Sequence, residues 1–241
     1  MRLIIDTHTH TCASGHAYST IQENAREAQR KELAMVAVTD HGPAMCGAPT
    51  VIYFNNLPTV PSQIYGVRII KGAEVNILDY NGKLDLPERT LARLEFAIAS
   101  LHDLCIAPAG IEENTRALVK ALQNPYVDGV AHPGNPQFQV NIETVVAAAA
   151  QYHKLIEINN HSFTARPGSA DNCRQFAIAC RRMGTRIVCG SDAHISFDIG
   201  DFAYVNRLLA EVAMPEELVL NTSVDRFESY LAERKLRIER S

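Results

Sequence analysis

Histidine and carboxylate residues recur along this chain at an interval that matches one strand–helix unit. These stations are His8 with His10, His41, Glu74, His102, His132, and Asp192 with His194. Counted from His10, the gaps between stations are 31, 33, 28, 30 and 60 residues, and a strand–helix repeat takes about 30 residues. Each station follows a short apolar stretch, such as RLIID before His8 and MVAVTD before His41. The pattern predicts parallel strands that carry the chemistry at their carboxyl ends, as in a β/α barrel.

Seven short runs rich in Ile and Val predict seven strands. Because the runs scarcely alternate with polar residues, we expect both faces of the sheet to be covered. The predicted strands are 3–8, 34–39, 68–74, 96–101, 127–131, 155–159 and 186–190. Amphipathic spacing predicts helices over about 20–31, 113–123, 142–152, 170–183, 199–213 and 223–234. Thr20 and Glu23 have the spacing of a capping box at the first of these helices.

Length and composition favour one soluble barrel domain over residues 1–241. The chain is 46% hydrophobic, enough for a large core, and contains no linker or low-complexity tract. A net charge of −4 provides no basic surface for nucleic acid. No apolar run reaches the roughly 18 residues that a membrane helix needs. The six cysteines form no C-x-x-C pair and the chain starts without a signal-peptide pattern, so we expect a cytoplasmic protein with reduced thiols.

One connection breaks the strand–helix rhythm. Residues 42–67 include no charged side chain but several prolines and aromatic residues. A long ordered connection is uncommon unless it has a function. The sequence leaves two interpretations open: a lid or substrate wall beside His41, or a packed crossover with a short helix near 57–65.

The recurring residue types predict a metal site. A single histidine in a barrel is more often a structural residue than a ligand. Here the stations include an H-x-H pair and a D-x-H pair, whose x-spaced members point to the same side of a strand end. Imidazole nitrogens and carboxylate oxygens suit Zn²⁺, with Mn²⁺ and Fe as competitors.

Several motifs resemble those of the polymerase and histidinol phosphatase (PHP) family. They are D-T-H-T-H at 6–10, T-D-H-G-P at 39–43, G-x-E at 72–74, H-P-G-N-P at 132–136, E-I-N-N at 157–160 and G-S-D-x-H at 190–194. The stretches at 13–20 and 167–174 are similar to the small stand-alone bacterial phosphatases of its YcdX-like branch. The resemblance extends over about residues 3–230.

The resemblance implies a distorted, TIM-like (β/α)7 barrel of PHP type with three metal ions, usually zinc or manganese. It adds His16 to the ligands. One ion would take His8, His10, Glu74 and Asp192, a second His16, His41 and His194, and a third Glu74, His102 and His132. Asp40 would orient a ligand imidazole from behind. Of these residues, catalysis would depend most directly on His8, His10, Glu74, Asp192 and His194.

Charge arithmetic predicts an anionic substrate. Three divalent ions would outweigh the charges of Glu74 and Asp192, so the pocket would be strongly positive. A small phosphomonoester fits such a pocket, with a metal-bound hydroxide as the nucleophile. Arg166 is a candidate for binding phosphate. His161 is a second candidate for contacting the substrate, because it stands where the family commonly has a small polar residue.

Three other functions remain open at this stage. A nuclease or exonuclease is known among PHP domains, but the acidic pI of about 6.1 argues against it. An amidohydrolase-type enzyme would need a lysine at a middle strand end, where this chain has His102. A non-enzymatic metal-binding domain would be expected to have lost ligands, and none is lost. No membrane partner is expected, and a homo-oligomer is compatible with the sequence.

Overall fold

The computed structural model describes residues 1–240. Its strands form a single eight-stranded sheet. The strands are β1 (Ile5–Thr9), β2 (Met35–Val38), β3 (Gln63–Ile64), β4 (Val67–Asn76), β5 (Phe96–Ser100), β6 (Gly129–Val130), β7 (Leu155–Asn159) and β8 (Ile187–Gly190). Seven strands run parallel in the order β1-β2-β4-β5-β6-β7-β8, and β3 pairs antiparallel with β4. They curl into a nearly closed barrel, which confirms the predicted α/β fold class.

Helices cover the outside of this sheet. Within residues 1–240 they are α1 (Ile21–Arg30), α2 (Val51–Asn56), α3 (Glu88–Leu91), α4 (Ile111–Gln123), α5 (Ile142–Gln151), α6 (Ser162–Ala165), α7 (Ser169–Met183), α8 (Ala203–Glu211) and α9 (Val224–Glu239). The predicted capping box is confirmed at α1, where the Thr20 hydroxyl accepts from the Glu23 amide and the Glu23 carboxylate accepts from the Thr20 amide. None of the described helices combines the length and apolar character needed to cross a membrane.

Apolar side chains fill the barrel interior, and α9 closes the end opposite to the strands' carboxyl ends. Phe227 and Tyr230 of α9 pack against the strand residues inside the barrel and are fully buried. Asp128, just before β6, is also fully buried and accepts from Arg234 Nε and Arg237 Nη2 at 2.7 Å each. These ion pairs explain why α9 continues to Glu239, beyond the predicted end at 234.

The barrel has a seam between its last and first strands. The strand order ends at β1 and β8; an isolated pairing between Thr9 and Ala193 joins their carboxyl ends, and the Thr7 hydroxyl donates to the Cys189 carbonyl. Further down, Asn221 bridges the two strands: its Nδ2 donates to the carbonyl oxygens of Ile5 (2.8 Å) and Cys189 (2.7 Å), and its Oδ1 accepts from the Cys189 amide (2.8 Å). A side chain thus replaces several of the missing ladder bonds at this seam.

The uncharged segment 42–67 is a packed crossover. It contains α2, a 3-10 turn at Leu57–Thr59, and β3. Phe54 and Leu57 are buried against the core. The predicted helix near 57–65 was placed too late, because Gln63 and Ile64 pair with β4 as a strand.

The predicted helix over 199–213 was too long. Gly200 has a left-handed φ of 68°. Its amide donates to the fully buried Asp6 carboxylate at 2.8 Å, which holds the chain in a turn there. As a result, α8 begins only at Ala203.

Candidate metal centre

The predicted ligands converge at the end of the barrel where the parallel strands have their carboxyl ends. β1 carries His8 and leads directly to His10, and β4 carries Glu74. The remaining six stand in turns beyond strand ends: His16, His41, His102, His132, Asp192 and His194. Contacting imidazole rings among these residues have centroids 4.3 to 6.1 Å apart. The structure therefore brings all nine residues together, and their role as metal ligands stays a prediction.

Four side chains surround one small volume with the spacing of a metal cage. His8 Nε2 lies 3.1 Å from His10 Nε2 and 3.3 Å from Glu74 Oε2. Asp192 Oδ1 lies 3.1 Å from His10 Nε2 and 3.5 Å from His8 Nε2. Metal–ligand distances of about 2.0–2.2 Å place the ligand atoms around a tetrahedral zinc about 3.3 Å apart. All four side chains are buried, so these polar atoms have no access to bulk water.

Hydrogen bonds behind the rings of His8 and His10 determine which nitrogen carries the proton. His8 Nδ1 donates to the Glu157 carboxylate at 2.7 Å. His10 Nδ1 faces Ser14 Oγ at 3.0 Å, and the Ser14 hydroxyl donates to Asp40 at 2.7 Å, so Ser14 must accept from His10. In the neutral tautomers both Nε2 atoms then direct lone pairs toward each other. A cation between these atoms removes the repulsion, which is the strongest structural argument for a metal ion here.

The Glu74 carboxylate faces a different group of histidines with each of its oxygens. Oε2 points into the cage and lies 2.7 Å from His41 Nδ1, but neither atom has a hydrogen-bond partner. Oε1 lies 2.7 Å from His132 Nε2 and 3.3 Å from His102 Nε2. A buried carboxylate in this position can bridge two ions, and the unpaired atoms fit metal coordination better than hydrogen bonding.

A further group of imidazoles lies closer to solvent. His41 Nε2 is 3.3 Å from His16 Nε2, and the His194 ring is 4.9 Å from the His16 ring. Ligand atoms of His10, His41 and His194 also lie within 4.8 Å of one another. His16 is exposed and His194 is partly exposed, so an ion held here would face the opening of the site.

Glu157 on β7 is a site residue that sequence reasoning missed. Its Oε1 holds His8 Nδ1, while Oε2 accepts from the His132 backbone amide at 2.7 Å. The Glu157 carboxylate packs closely against the backbone of Gly190, since a Cβ at that position would lie 2.3 Å from Glu157 Oε1. Although β7 carries none of the predicted ligands, it therefore contributes to the site through Glu157. A charged residue within the apolar run LIEIN was the available signal.

Asp40, predicted to orient a ligand imidazole, reaches the ring of His10 through the Ser14 hydroxyl. Its carboxylate accepts from the amide and hydroxyl of Thr11, from Ser14 and from the Tyr53 hydroxyl, at 2.6 to 2.8 Å. Asp40 thus acts on His10 through Ser14. Tyr53 links this network to α2 and gives the segment 42–67 a defined contact with the site.

The two predicted substrate residues lie beside the cluster. Both terminal nitrogens of Arg166 lie 3.3 Å from Asp192 Oδ2, the oxygen that faces away from the cage. The His161 ring stacks on His194 at 5.9 Å between centroids. Arg166 also lines a cavity of about 290 Å³ next to His102, together with Asp103, Gln137 and the prolines at 136 and 167.

Two of the predicted ligands have strained backbones. His132 and Asp192 adopt left-handed φ angles of 32° and 57°. Such conformations are costly for residues with a side chain and concentrate at functional sites. Backbone hydrogen bonds hold both residues: the His132 amide donates to Glu157, and the Asp192 amide donates to the His8 carbonyl.

Electrostatics keep this cluster ready to exchange a proton for a metal. Burial alone would lower the pKa of His8. Three carboxylates outweigh burial, those of Glu157, Asp192 and Glu74, and they raise the pKa of His8 well above its usual range. Burial and the neighbouring His41 instead lower the pKa of His10. Without metal, a proton on His8 Nε2 can therefore occupy the space between the two rings.

We expect rising pH to lower the stability of the metal-free protein and to raise that of the protein in the presence of zinc. Because the folded pKa of His8 is raised, its contribution to stability is complete below the unfolded pKa of about 6.5 and disappears as pH rises through the folded value. Zinc must displace this proton, so its affinity should increase with pH. Thermal unfolding with and without zinc, from about pH 6 to about pH 9, should give diverging midpoints. Parallel pH profiles would contradict this exchange.

Comparisons with known proteins identify the family. The PHP domain model matches residues 6–161, and the chain belongs to the PHP domain family. A protein of Acetivibrio thermocellus named "Probable phosphatase" is 58% identical over 240 residues, covering 100% of both chains. A "Probable phosphatase" of Caldanaerobacter subterraneus is 55% identical, covering 99% of this chain and 94% of its own.

A solved structure shares the fold. The histidinol phosphate phosphatase of Lactococcus lactis, crystallised with zinc, L-histidinol and phosphate, superimposes with a TM-score of 0.66 over 89% of this chain and 95% of its own, at 18% identity. A probable 2-pyrone-4,6-dicarboxylic acid hydrolase of Acinetobacter baumannii gives a TM-score of 0.55 at 14% identity, over 96% of this chain and 100% of its own. At these identities the two likenesses establish the barrel architecture alone.

Proposed function

We propose that this chain is a metal-dependent phosphatase that hydrolyses small phosphomonoesters at a centre of three transition-metal ions, with zinc as the first candidate and manganese or iron as alternatives. The observation that carries the proposal is the buried cage in which two imidazole lone pairs and two carboxylates face one point. The extensive identity to proteins named probable phosphatases supports phosphate esters as the substrates.

The ligand set divides into three groups around the Glu74 carboxylate. In the proposal, His8, His10, Glu74 and Asp192 hold one ion, His16, His41 and His194 a second, and Glu74, His102 and His132 a third. The ions, when bound, supply Lewis acidity and a nucleophile derived from water. Glu157 and Ser14 hold a ring proton on Nδ1 of His8 and of His10, so that each Nε2 faces the ion, and the protein excludes bulk water from the innermost cage.

Charge and shape beside the cluster favour a small phosphate ester. Arg166 offers guanidinium donors next to Asp192, where phosphate oxygens not held by the ions could bind. The alcohol part would occupy the cavity of about 290 Å³ that Arg166 and His102 share. Its walls combine apolar prolines with the carboxylate of Asp103 and the amide of Gln137, which suits a small polar alcohol better than a nucleic-acid strand.

A metal and substrate panel tests the proposal. The purified protein should contain about three transition-metal ions per chain. It should cleave a generic aryl phosphomonoester much faster than an aryl phosphodiester, an oligonucleotide or an anilide amide, and a chelator should abolish the cleavage. A diester or amide preference, or full activity without metal, would refute the proposal. Metal content near one ion would refute the trinuclear centre alone.

Arg166→Ala should weaken substrate binding more than it lowers the metal content of the protein. Loss of a charged hydrogen bond to phosphate is worth about 1.5–3 kcal/mol, which corresponds to about tenfold to a hundredfold in kcat/KM. We expect KM to rise and the metal content to stay near that of the unmodified protein. Arg174→Ala is the matched control, because Arg174 pairs with Glu211 on the exposed surface. Unchanged kinetics for Arg166→Ala would assign this side chain to structure instead.

A further inference from the structure

Asp85 stands two side chains away from the metal cluster, in the connection between β4 and α3. Its carboxylate accepts hydrogen bonds from Asn76 with both oxygens: the backbone amide reaches Oδ1 at 3.0 Å, and the side-chain Nδ2 reaches Oδ2 at 2.6 Å. Asn76 is the last residue of β4, two positions after Glu74, and is fully buried. The Asn76 Nδ2 also donates to the Gly42 carbonyl at 3.1 Å. The amide group therefore has a fixed orientation, with the NH2 toward Asp85, the shorter and charged contact, and toward Gly42.

This orientation determines the state of His102. With its nitrogen held by the Asp85 carboxylate and the Gly42 carbonyl, Asn76 directs Oδ1 at His102 Nδ1, 2.7 Å away. An amide oxygen only accepts, so Nδ1 carries the proton and Nε2 keeps a lone pair. That Nε2 lies 3.3 Å from Glu74 Oε1, the oxygen that also faces His132.

Asp85 has little freedom to move. Its Oδ2 also accepts from the Ala44 amide at 3.0 Å, which ties it to the segment 42–67. A Cβ on Gly42 would lie 2.3 Å from both carboxylate oxygens, so the glycine at this position leaves just enough room for the carboxylate. The carboxylate is thus clamped between β4 and the start of the crossover.

We infer that Asp85 is a positioning residue for the ion bound by His102, because it fixes through Asn76 the tautomer and direction of that ligand. The inference rests on the proposed metal centre and extends it to a residue that touches no ligand. The inference also gives the connection after β4 a function. Its residue Asp85 supports, through Asn76, the histidine that follows β5.

Metal binding by Asp85→Ala tests the inference without any substrate. We expect the affinity for the ion that His102 would bind to fall about tenfold to a hundredfold, as is typical when a residue that hydrogen-bonds to a metal ligand is removed. Chelator competition and elemental analysis of dialysed protein measure this loss, and the remaining ions should stay bound. Asp79→Ala is the matched control, because Asp79 caps a turn in the same connection through Asn81 and Lys83. Asp79→Ala should keep the full metal complement.

Combining the change with His102→Ala separates positioning from general stability. If Asp85 acts through His102, the double variant should bind metal as weakly as His102→Ala alone. Additive losses of metal affinity, or an unchanged affinity in Asp85→Ala or in His102→Ala, would overturn the inference.

If Asp85→Ala does not fold, the milder variant Asp85→Asn can be measured instead. Asp85→Asn keeps the volume but replaces one acceptor oxygen by a donor, and it should show a smaller loss of the same ion; full retention would again overturn the inference. The proposed function fails separately, since a protein that binds these ions as described but cleaves no phosphomonoester would contradict that function alone.

Discussion

Glu74→Gln should lower kcat/KM by about a thousandfold, because it alters the residue that two ions share in the proposed centre. A residue that only hydrogen-bonds to a ligand typically costs about tenfold to a hundredfold. Each oxygen of Glu74 faces a separate group of histidines. An amide removes the negative charge and turns an NH2 toward one of these groups. The metal content should therefore fall by at least one ion per chain.

Glu74→Asp provides the informative comparison for this prediction. Aspartate keeps the charge and both oxygens but retracts them by one methylene, so it should retain more metal and more activity than glutamine. Glu95→Gln is the control, since Glu95 pairs with Arg68 far from the cluster and should behave like the unmodified protein. Steady-state kinetics and elemental analysis measure both effects. A glutamine variant with full activity and full metal content would show that Glu74 does not bridge.

Among substitutions of residues that are not predicted ligands, Glu157→Gln should cause the largest losses of stability and of metal affinity. This carboxylate accepts from the His8 ring with one oxygen, and from the His132 amide and the Asn159 side chain with the other. A glutamine has one acceptor oxygen, so it can accept from the His8 ring or from the His132 amide but not from both. The unpaired buried donor should cost about 1–3 kcal/mol of unfolding free energy. Metal affinity should fall about tenfold to a hundredfold, because His8 loses its fixed tautomer or His132 its backbone anchor.

Denaturant unfolding of the metal-free protein and chelator competition of the loaded protein separate these two effects. Glu143→Gln, on the exposed surface of α5 where it pairs with Arg182, should change neither quantity. If Glu157→Gln bound zinc as tightly as the unmodified protein, the hydrogen bond to His8 would have no role in preparing this ligand.

The spacing of apolar runs was sufficient to predict the barrel and the positions of its strand ends. Strand boundaries depend on local hydrophobic runs, and parallel strands bring their carboxyl ends together whatever the details of packing. This is why residues as far apart as His8 and Asp192 could be placed in one cluster. The His16 assignment came from the family resemblance, since no strand precedes this residue directly.

The hydrogen bonds behind the ligands could not be predicted in the same way. Glu157 of β7 meets His8 of β1, two strands that are not adjacent in the sheet, and Asn76 of β4 meets His102 just beyond the end of β5. These contacts depend on register and on inward-facing positions. Asp85 reaches the site from a connection without regular structure, whose path depends on Gly42 and Ala44 of another connection. Single-sequence patterns contain little information about such pairings between distant segments.

The seam beside Asn221 has a consequence for when the proposed metal centre can form during synthesis. His8 and His10 leave the ribosome early, but Asp192 faces them only across the junction that Asn221 holds. Until residues 219–222 have been translated, the bonds that Asn221 makes to both strands are missing, and the two halves of the innermost cage are joined without this side-chain bridge. We therefore expect nascent chains to remain metal-poor and protease-sensitive until translation passes this point, so that ion uptake reports completion of the barrel.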